Sequence, residues 1–287
     1  MRTSRAELLS RLVSDTSEWA APARKEAARA IPQILDRRFL PLLIPLLHDP
    51  RGEVAEEAMR AVRARGGSEF LFVPTLVSLL RHRRLKSSAR EVLIGYGEEV
   101  VDTLEHFLRD PEEDLWVRRH IPATLARIPA QRSMNVLLAA LEESDGFLRY
   151  KVVAAIEKLR REVPQLELKR EPIEALLLGE SLRFLNYLSL RYNLFSRAGL
   201  PTTALLARSL EEKLSRTLDR IYRLLGLLHP WKDIASARRA IERGDARSRA
   251  SALEYLDNIL SGPIRKRIML MLEDMPLDEK VRRGTCS

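Results

Sequence analysis

The sequence predicts an all-α chain built as an α-solenoid, and three observations predict it. Gly supplies only 12 of the 287 residues, and the chain is rich in Leu, Ala, Arg and Glu, a composition that favours helix. A short pattern of an apolar residue, a base and a second apolar residue eight places after the first recurs at near-constant spacing. An apolar segment precedes most of its occurrences, so each period holds two helices.

The pattern begins at Ala23-Arg24 and returns at Val54, Leu85, Val117, Leu148, Leu182, Leu214, Ser248 and Val281, in steps of 31 to 34 residues. Its second position is Arg24, Ala55, Lys86, Arg118, Arg149, Arg183, Ser215, Arg249 and Arg282. Its eighth-step residue is Ile31, Val62, Leu93, Leu125, Ile156, Leu190, Tyr222 and Leu256. The preceding apolar segments are Leu40–Leu47, Val73–Leu80, Val101–Leu108, Val136–Leu141, Ile234–Ile241 and Ile264–Leu272, and each reads as a first helix A. Breaks at Asp49-Pro50, Asp110-Pro111 and Gly244-Asp245 then open a second helix B, because Asp accepts backbone N–H bonds at a helix start and Pro suits the first turn. Such a pair cannot bury both faces alone and stacks on its neighbours. The chain therefore reads as one array over 1–287, with regular repeats over 1–160, irregular ones with longer loops such as Glu162–Ala175 over 161–208, and C-terminal repeats over 209–287. The last repeat is incomplete, since only five residues follow Val281-Arg282, and the helix carrying Ile268, Leu270, Met271 and Leu272 is expected to lack cover.

Composition narrows the function. The longest apolar run, Phe39 to Leu47, has nine residues, against the roughly 20 that a bilayer requires. The N-terminal Met1-Arg2-Thr3-Ser4-Arg5 carries no apolar core of a signal peptide. A lone cysteine, Cys286, excludes a disulfide framework and points to a reducing, cytoplasmic compartment. The net charge is +9, and 40 of the 49 cations are Arg. That bias suits carboxylate and phosphate forks, and it is also what a GC-rich genome produces.

The stretch Asp49-Pro50-Arg51-Gly52-Glu53-Val54-Ala55-Glu56-Glu57-Ala58 resembles the HEAT repeat, an Asp-Pro turn followed by Val-Arg and an Ala-rich helix, as does Val117-Arg118 onward. The resemblance covers nearly the whole chain and implies a right-handed superhelix of about eight antiparallel helix pairs. Ala55 and Ser215 depart from it in place of the base, and Ser248 in place of the apolar residue. Over residues 209–275, Arg223-Leu224-Leu225-Gly226-Leu227-Leu228-His229-Pro230, then Asp233-Ile234 and Ala252-Leu253-Glu254-Tyr255-Leu256, resemble the HEAT segment that follows membrane domains similar to ADP/ATP translocases in some bacteria. That likeness implies a cytoplasmic regulatory or docking domain of a transporter-like protein.

The repeated base is expected to form an Asp–Arg ladder between repeats, as HEAT arrays commonly do, from Arg24, Lys86, Arg118, Arg149, Arg183 and Arg249. Positions two, six and nine after each mark point away from the core and give a basic stripe: Lys25 and Arg29, Arg60 and Arg63 beside Glu56, Arg119, Arg191, Arg216, Arg220 and Arg223. A partner could dock there, although a solvated helix face has the same composition. Six of the 16 aromatics fall between Phe147 and Phe195, and Tyr150, Phe184 and Tyr187 are candidate anchors for a partner or for nucleobases, or else ordinary packing.

Enzyme signatures are missing. The five histidines never pair at three- or four-residue spacing, and no Gly-rich phosphate loop or Gly-x-Ser-x-Gly elbow occurs. Trp116, Asp114, Tyr150 and Arg119 could supply the aromatic, acidic and basic set of a HEAT-like alkylpurine DNA glycosylase, though no motif fixes them. The expected function is thus a scaffold without catalytic residues, cofactor or metal, binding a protein or another domain of its own chain. A nucleic-acid binder with a basic concave face is the rival, and the oligomeric state stays open.

Overall fold

A computed structural model describes residues 5–65, 69–201 and 205–285. Cys286 lies outside them. The protein is all-α: 80% helical, with 16 helices and no strand among the described residues. It divides into two compact units, Met1–Ala140 with Asp145–Glu167, and Leu141–Ser144 with Leu168–Ser287.

Unit 1 holds α1 (Arg5–Ser14), α2 (Ala21–Ala30), α3 (Leu43–Leu47), α4 (Gly52–Ala64), α5 (Val73–Ser78), α6 (Lys86–Gly95), α7 (Val101–Arg109), α8 (Leu115–Leu125), α9 (Gln131–Ala139) and α10 (Gly146–Glu162). Consecutive helices pack as five pairs. The even-numbered helices also pack in order, α2 on α4, α4 on α6, α6 on α8 and α8 on α10, and the odd-numbered ones likewise from α1 to α9. Two layers result, and the repeat marks explain them: Val54, Leu85, Val117 and Leu148 are buried, as are Ile31, Val62, Leu93, Leu125 and Ile156 eight residues after each mark. Helices α3 and α5 are short because Pro41, Pro45 and Pro74 remove backbone donors, and 3₁₀ turns at Arg37–Leu42 and Phe70–Phe72 extend them.

Two of the three Asp signals lie in the turn before helix B rather than at its cap; Asp49 accepts from Arg51 N at 2.9 Å, and Arg51 holds the cap position of α4. Asp110 accepts from Glu112 N at 2.9 Å in the turn, while Asp114 caps α8 by accepting from Trp116 N at 2.8 Å. Asp145 caps α10 through Leu148 N, at 2.6 Å.

Part of the expected ladder forms. Arg24 is fully buried; its Nε donates to Asp49 Oδ2 at 2.6 Å and its Nη1 to the Ser17 carbonyl at 2.9 Å. Arg118 reaches the Leu108 carbonyl that ends α7, at 2.8 Å. Arg149 is buried beside Asp145. Lys86 departs from the expectation, being half-buried with its charge beside His120.

Unit 2 holds α11 (Arg170–Arg191), α12 (Leu205–Leu228), α13 (Trp231–Arg243), α14 (Ala246–Ile259), α15 (Gly262–Leu272) and α16 (Leu277–Thr285), with a π-helical segment Tyr192–Arg197 after α11. Here the repeat marks lose their meaning. Leu182 and Leu214 fall inside the long helices α11 and α12 rather than at helix starts, and Leu182 and Leu190 are 41% and 44% exposed. The expected loop Glu162–Ala175 is shorter, because α11 already begins at Arg170.

Each helix of unit 2 packs on the next, and α11 also packs on α15 and α16, so the contacts close on themselves. This overturns the expected open end. Ile268, Leu270, Met271 and Leu272 are all buried, covered by α11 and by α16, whose Gly284 lies against Leu185. Arg267 donates to the Leu178 carbonyl at 3.1 Å across the same junction. The remaining ladder bases divide: Arg249 bridges the Ile241 and Leu272 carbonyls at 2.7 and 3.0 Å, whereas Arg183 pairs within its own helix with Glu180.

Candidate anion-binding surface

The expected basic stripe is largely neutralised by neighbouring carboxylates. On α2, Lys25 pairs with Glu53 at 3.2 Å and Arg29 with Glu57 at 3.3 Å, and Arg60 on α4 shares Glu57 at 2.7 Å. These contacts join neighbouring helices, so Lys25 and Arg29 do part of the tying expected of the ladder. Arg63 is exposed near Glu91, which Arg127 engages. In unit 2, Arg191 pairs with Glu211, Arg216 with Glu212 and Arg223 with Asp219.

Arg220 corrects the stripe outright. It is buried rather than exposed, and its Nε donates at 3.0 Å to Glu180 Oε2, a carboxylate with no exposed surface. The helical offset placed it one face away from where the wide apolar contact between α11 and α12 puts it.

One region of unit 1 has a different character, at the first turns of α6, α8 and α10. Trp116 and Phe147, the second residues of α8 and α10, are 60% and 42% exposed. The Arg119 guanidinium lies 5.4 Å from the Trp116 ring centroid and 5.0 Å from that of Phe147. Asp145 fixes it there, accepting from Nε at 3.2 Å and Nη2 at 2.9 Å. Burial pushes the Asp145 carboxyl up, but the bonds from Arg119 and Leu148 N outweigh it and hold it below the usual range. Lys151 lies 5.1 Å over Phe147, and Tyr150 stacks on Phe147 with centroids 6.3 Å apart.

One turn further along α8 is His120. Burial and then the charges of Lys86, Arg90 and Lys151 hold its pKa below the ordinary value. No carboxylate pairs with Lys86, Arg90 or Lys151 among the described residues; Arg90 donates instead to Thr124 Oγ1 at 3.2 Å. Glu91, whose charge reaches Arg90, is paired with Arg127, and Asp145 is paired with Arg119. The result is a group of three half-buried cations, none in an ion pair among the described residues, beside two exposed rings.

Of the predicted site residues, Arg119 and Tyr150 belong to this region. Phe184 and Tyr187 sit half-buried on α11 in unit 2, Tyr187 under Lys213 at 5.6 Å. The sequence reading places Lys86 in the ladder and Phe147 in the aromatic cluster, and it does not single out Arg90, His120 or Lys151. A signal for the rings existed: Trp116 and Phe147 both stand immediately before a repeat mark, 31 residues apart. The glycosylase set is only partly assembled, because Asp114 faces the α8 N-terminus and Arg81, at 3.0 Å. Hydrogen bonds from Trp116 N and then Arg81 lower its pKa.

No protein-family model matches the chain, and no curated protein matches it. Among solved structures it is similar to two engineered proteins. The first is 17% identical, with 98% of this chain and 68% of that chain covered at a TM-score of 0.32. The second is also 17% identical, with 98% of both chains covered at a TM-score of 0.22. Scores this low carry no argument about fold or function. Among the described residues no helix is long and apolar enough to cross a membrane, and no group of three or more His, Cys, Asp or Glu is placed to hold a metal ion.

Proposed function

We propose that the chain is a non-enzymatic interaction scaffold in which unit 1 is a HEAT-like α-solenoid of five helix pairs and the surface around His120 holds an anionic partner. The order of packing supports the solenoid: each pair stacks on the next, layer on layer, and the buried positions recur with the sequence repeat. The closed packing of unit 2 confines that reading to unit 1, in place of about eight pairs.

One observation carries the anionic partner. Arg24, Arg29, Arg60 and Arg119 on the even-numbered helices of unit 1 each meet a carboxylate, yet Lys86, Arg90 and Lys151 lie around His120 and Phe147 with no ion pair of their own among the described residues. Like charges held together cost free energy in the unliganded protein, and an anion relieves that cost. The N-terminal ends of α6, α8 and α10 add partial positive charge of the same sign.

Calorimetry with inorganic polyphosphate tests this reading. Replacing Lys86→Glu and Lys151→Glu together should weaken binding at least about tenfold. Replacing Arg60→Glu and Arg216→Glu, which changes the net charge equally at exposed sites already facing carboxylates, should weaken it far less. Equal losses from the two pairs would leave only a general charge effect, and no binding to the unsubstituted chain would end the reading.

A further inference from the structure

The cations describe the partner's charge, and the rings beside them describe its shape. Trp116 and Phe147 flank the Arg119 guanidinium across the junction of α8 and α10, so three flat groups follow one another at the surface. Arg119 and Phe147 have partners within the protein that orient them before any ligand arrives. Asp145 locks Arg119 while capping α10, Asp114 caps α8 at Trp116, and Tyr150 braces Phe147. Large aromatic rings left exposed side by side are costly to keep in water unless something stacks on them.

Resting on the anionic-partner reading above, we infer that this surface binds single-stranded nucleic acid, with phosphates on Lys86, Arg90 and Lys151 and unpaired bases stacked on Trp116 and Phe147. A single strand matches both halves of the surface, since it alternates charge with exposed planar faces. An acidic peptide would use the cations but has no regular supply of flat groups for the rings. A duplex hides its base faces within its own stack, leaving Trp116 and Phe147 without an occupant. Base stacking on aromatic side chains tolerates any sequence, so little base preference is expected.

The test uses the full chain and four probes: oligo(dT) of about 10 nucleotides, within the site sizes common to single-strand binders, a duplex of the same length, polyglutamate and inorganic polyphosphate. Oligo(dT) should bind at least about tenfold tighter than the other three, and with three phosphates neutralised the log–log salt slope should be about −2. Substituting Trp116→Leu and Phe147→Leu should remove that preference, a loss of at least about tenfold for oligo(dT), while leaving polyphosphate binding as it was.

Fluorescence gives a readout that does not depend on those variants folding. The chain has three Trp, so Trp19→Phe with Trp231→Phe leaves Trp116 as the sole indole, and stacking of a base should quench it. Polyphosphate binding without a preference for oligo(dT), or oligo(dT) binding without quenching, would overturn the single-strand assignment and leave the anionic surface standing. Tighter binding of polyglutamate or of the duplex would overturn it in favour of an acidic protein or a double helix. Failure of all four probes would remove both readings together.

Discussion

Arg24→Ala should lower the unfolding free energy by about 3–5 kcal/mol, measured by urea unfolding followed by circular dichroism. The arginine has no exposed surface, and the side chain of Asp49 retains only 3%. Removing the guanidinium leaves that carboxylate without a counter-charge and with only the bond from Arg51 N, since Nε meets Oδ2 at 2.6 Å and Nη2 meets Oδ1 at 3.3 Å, and it also frees the Ser17 and Asp15 carbonyls. A buried charge without its partner costs far more than the pair contributes net, which is why one deletion is so large. The companion substitution separates the two effects. Arg24→Met with Asp49→Leu should recover much of the loss, because apolar side chains of similar volume fill the gap between α2 and the turn before α4. A single-variant loss below about 1 kcal/mol would mean that water reaches the pair, as at a surface ion pair.

Leu125→Ala and Ile156→Ala should each cost about 2–5 kcal/mol. Both side chains are fully buried at the eighth step after a repeat mark, where α8 and α10 pack on each other and on their neighbours. Truncation removes the transfer free energy of the lost methyl groups and leaves a cavity between layers that the repeat above and the repeat below both help to line. Leu190 occupies the same register in sequence but is 44% exposed, so Leu190→Ala should change stability by no more than about 0.5 kcal/mol. Equal effects at all three positions would show that the repeat continues through α11 as the spacing alone implies.

That contrast explains what could be read from the sequence. In unit 1 each pair rests on the next in the same way, so burial at Val54, Leu85, Val117 and Leu148 follows a period of 31 to 32 residues and is visible in the order of amino acids. In unit 2 the cover is long-range. Leu185 meets Gly284, and Leu178 meets Arg267, contacts that no local spacing encodes, and they bury the helix that was expected to stand open. The same limit hid Arg220, whose position on α12 looks exposed until α11 brings Glu180 against it.

The candidate site was legible in part for a related reason. Counting helix faces finds cations, but it cannot tell which of them a neighbouring helix neutralises. Arg29 and Arg60 share Glu57, a residue of α4 that is itself nearly buried, and they are thereby withdrawn from binding. Lys86, Arg90 and Lys151 matter because none of them is in an ion pair among the described residues, Glu91 beside Arg90 being taken by Arg127, a property of helices packed together and of none alone.

The most direct measurement of the central claim is the titration of His120 by NMR, with and without inorganic polyphosphate. In the free protein burial, followed by the charges of Lys86, Arg90 and Lys151, holds its pKa below the ordinary histidine value. An anion seated among those cations offsets their charge, and the His120 midpoint should rise. By linkage, binding should tighten as the pH falls through the range in which His120 titrates, because the complex holds the proton more firmly than the free chain. His48 and His229, held down by burial and by Arg81 and Arg170 respectively, serve as references and should move little. A rise confined to His120 is the predicted result; an unchanged His120 in the saturated complex, or an equal rise at all three histidines, would contradict the account.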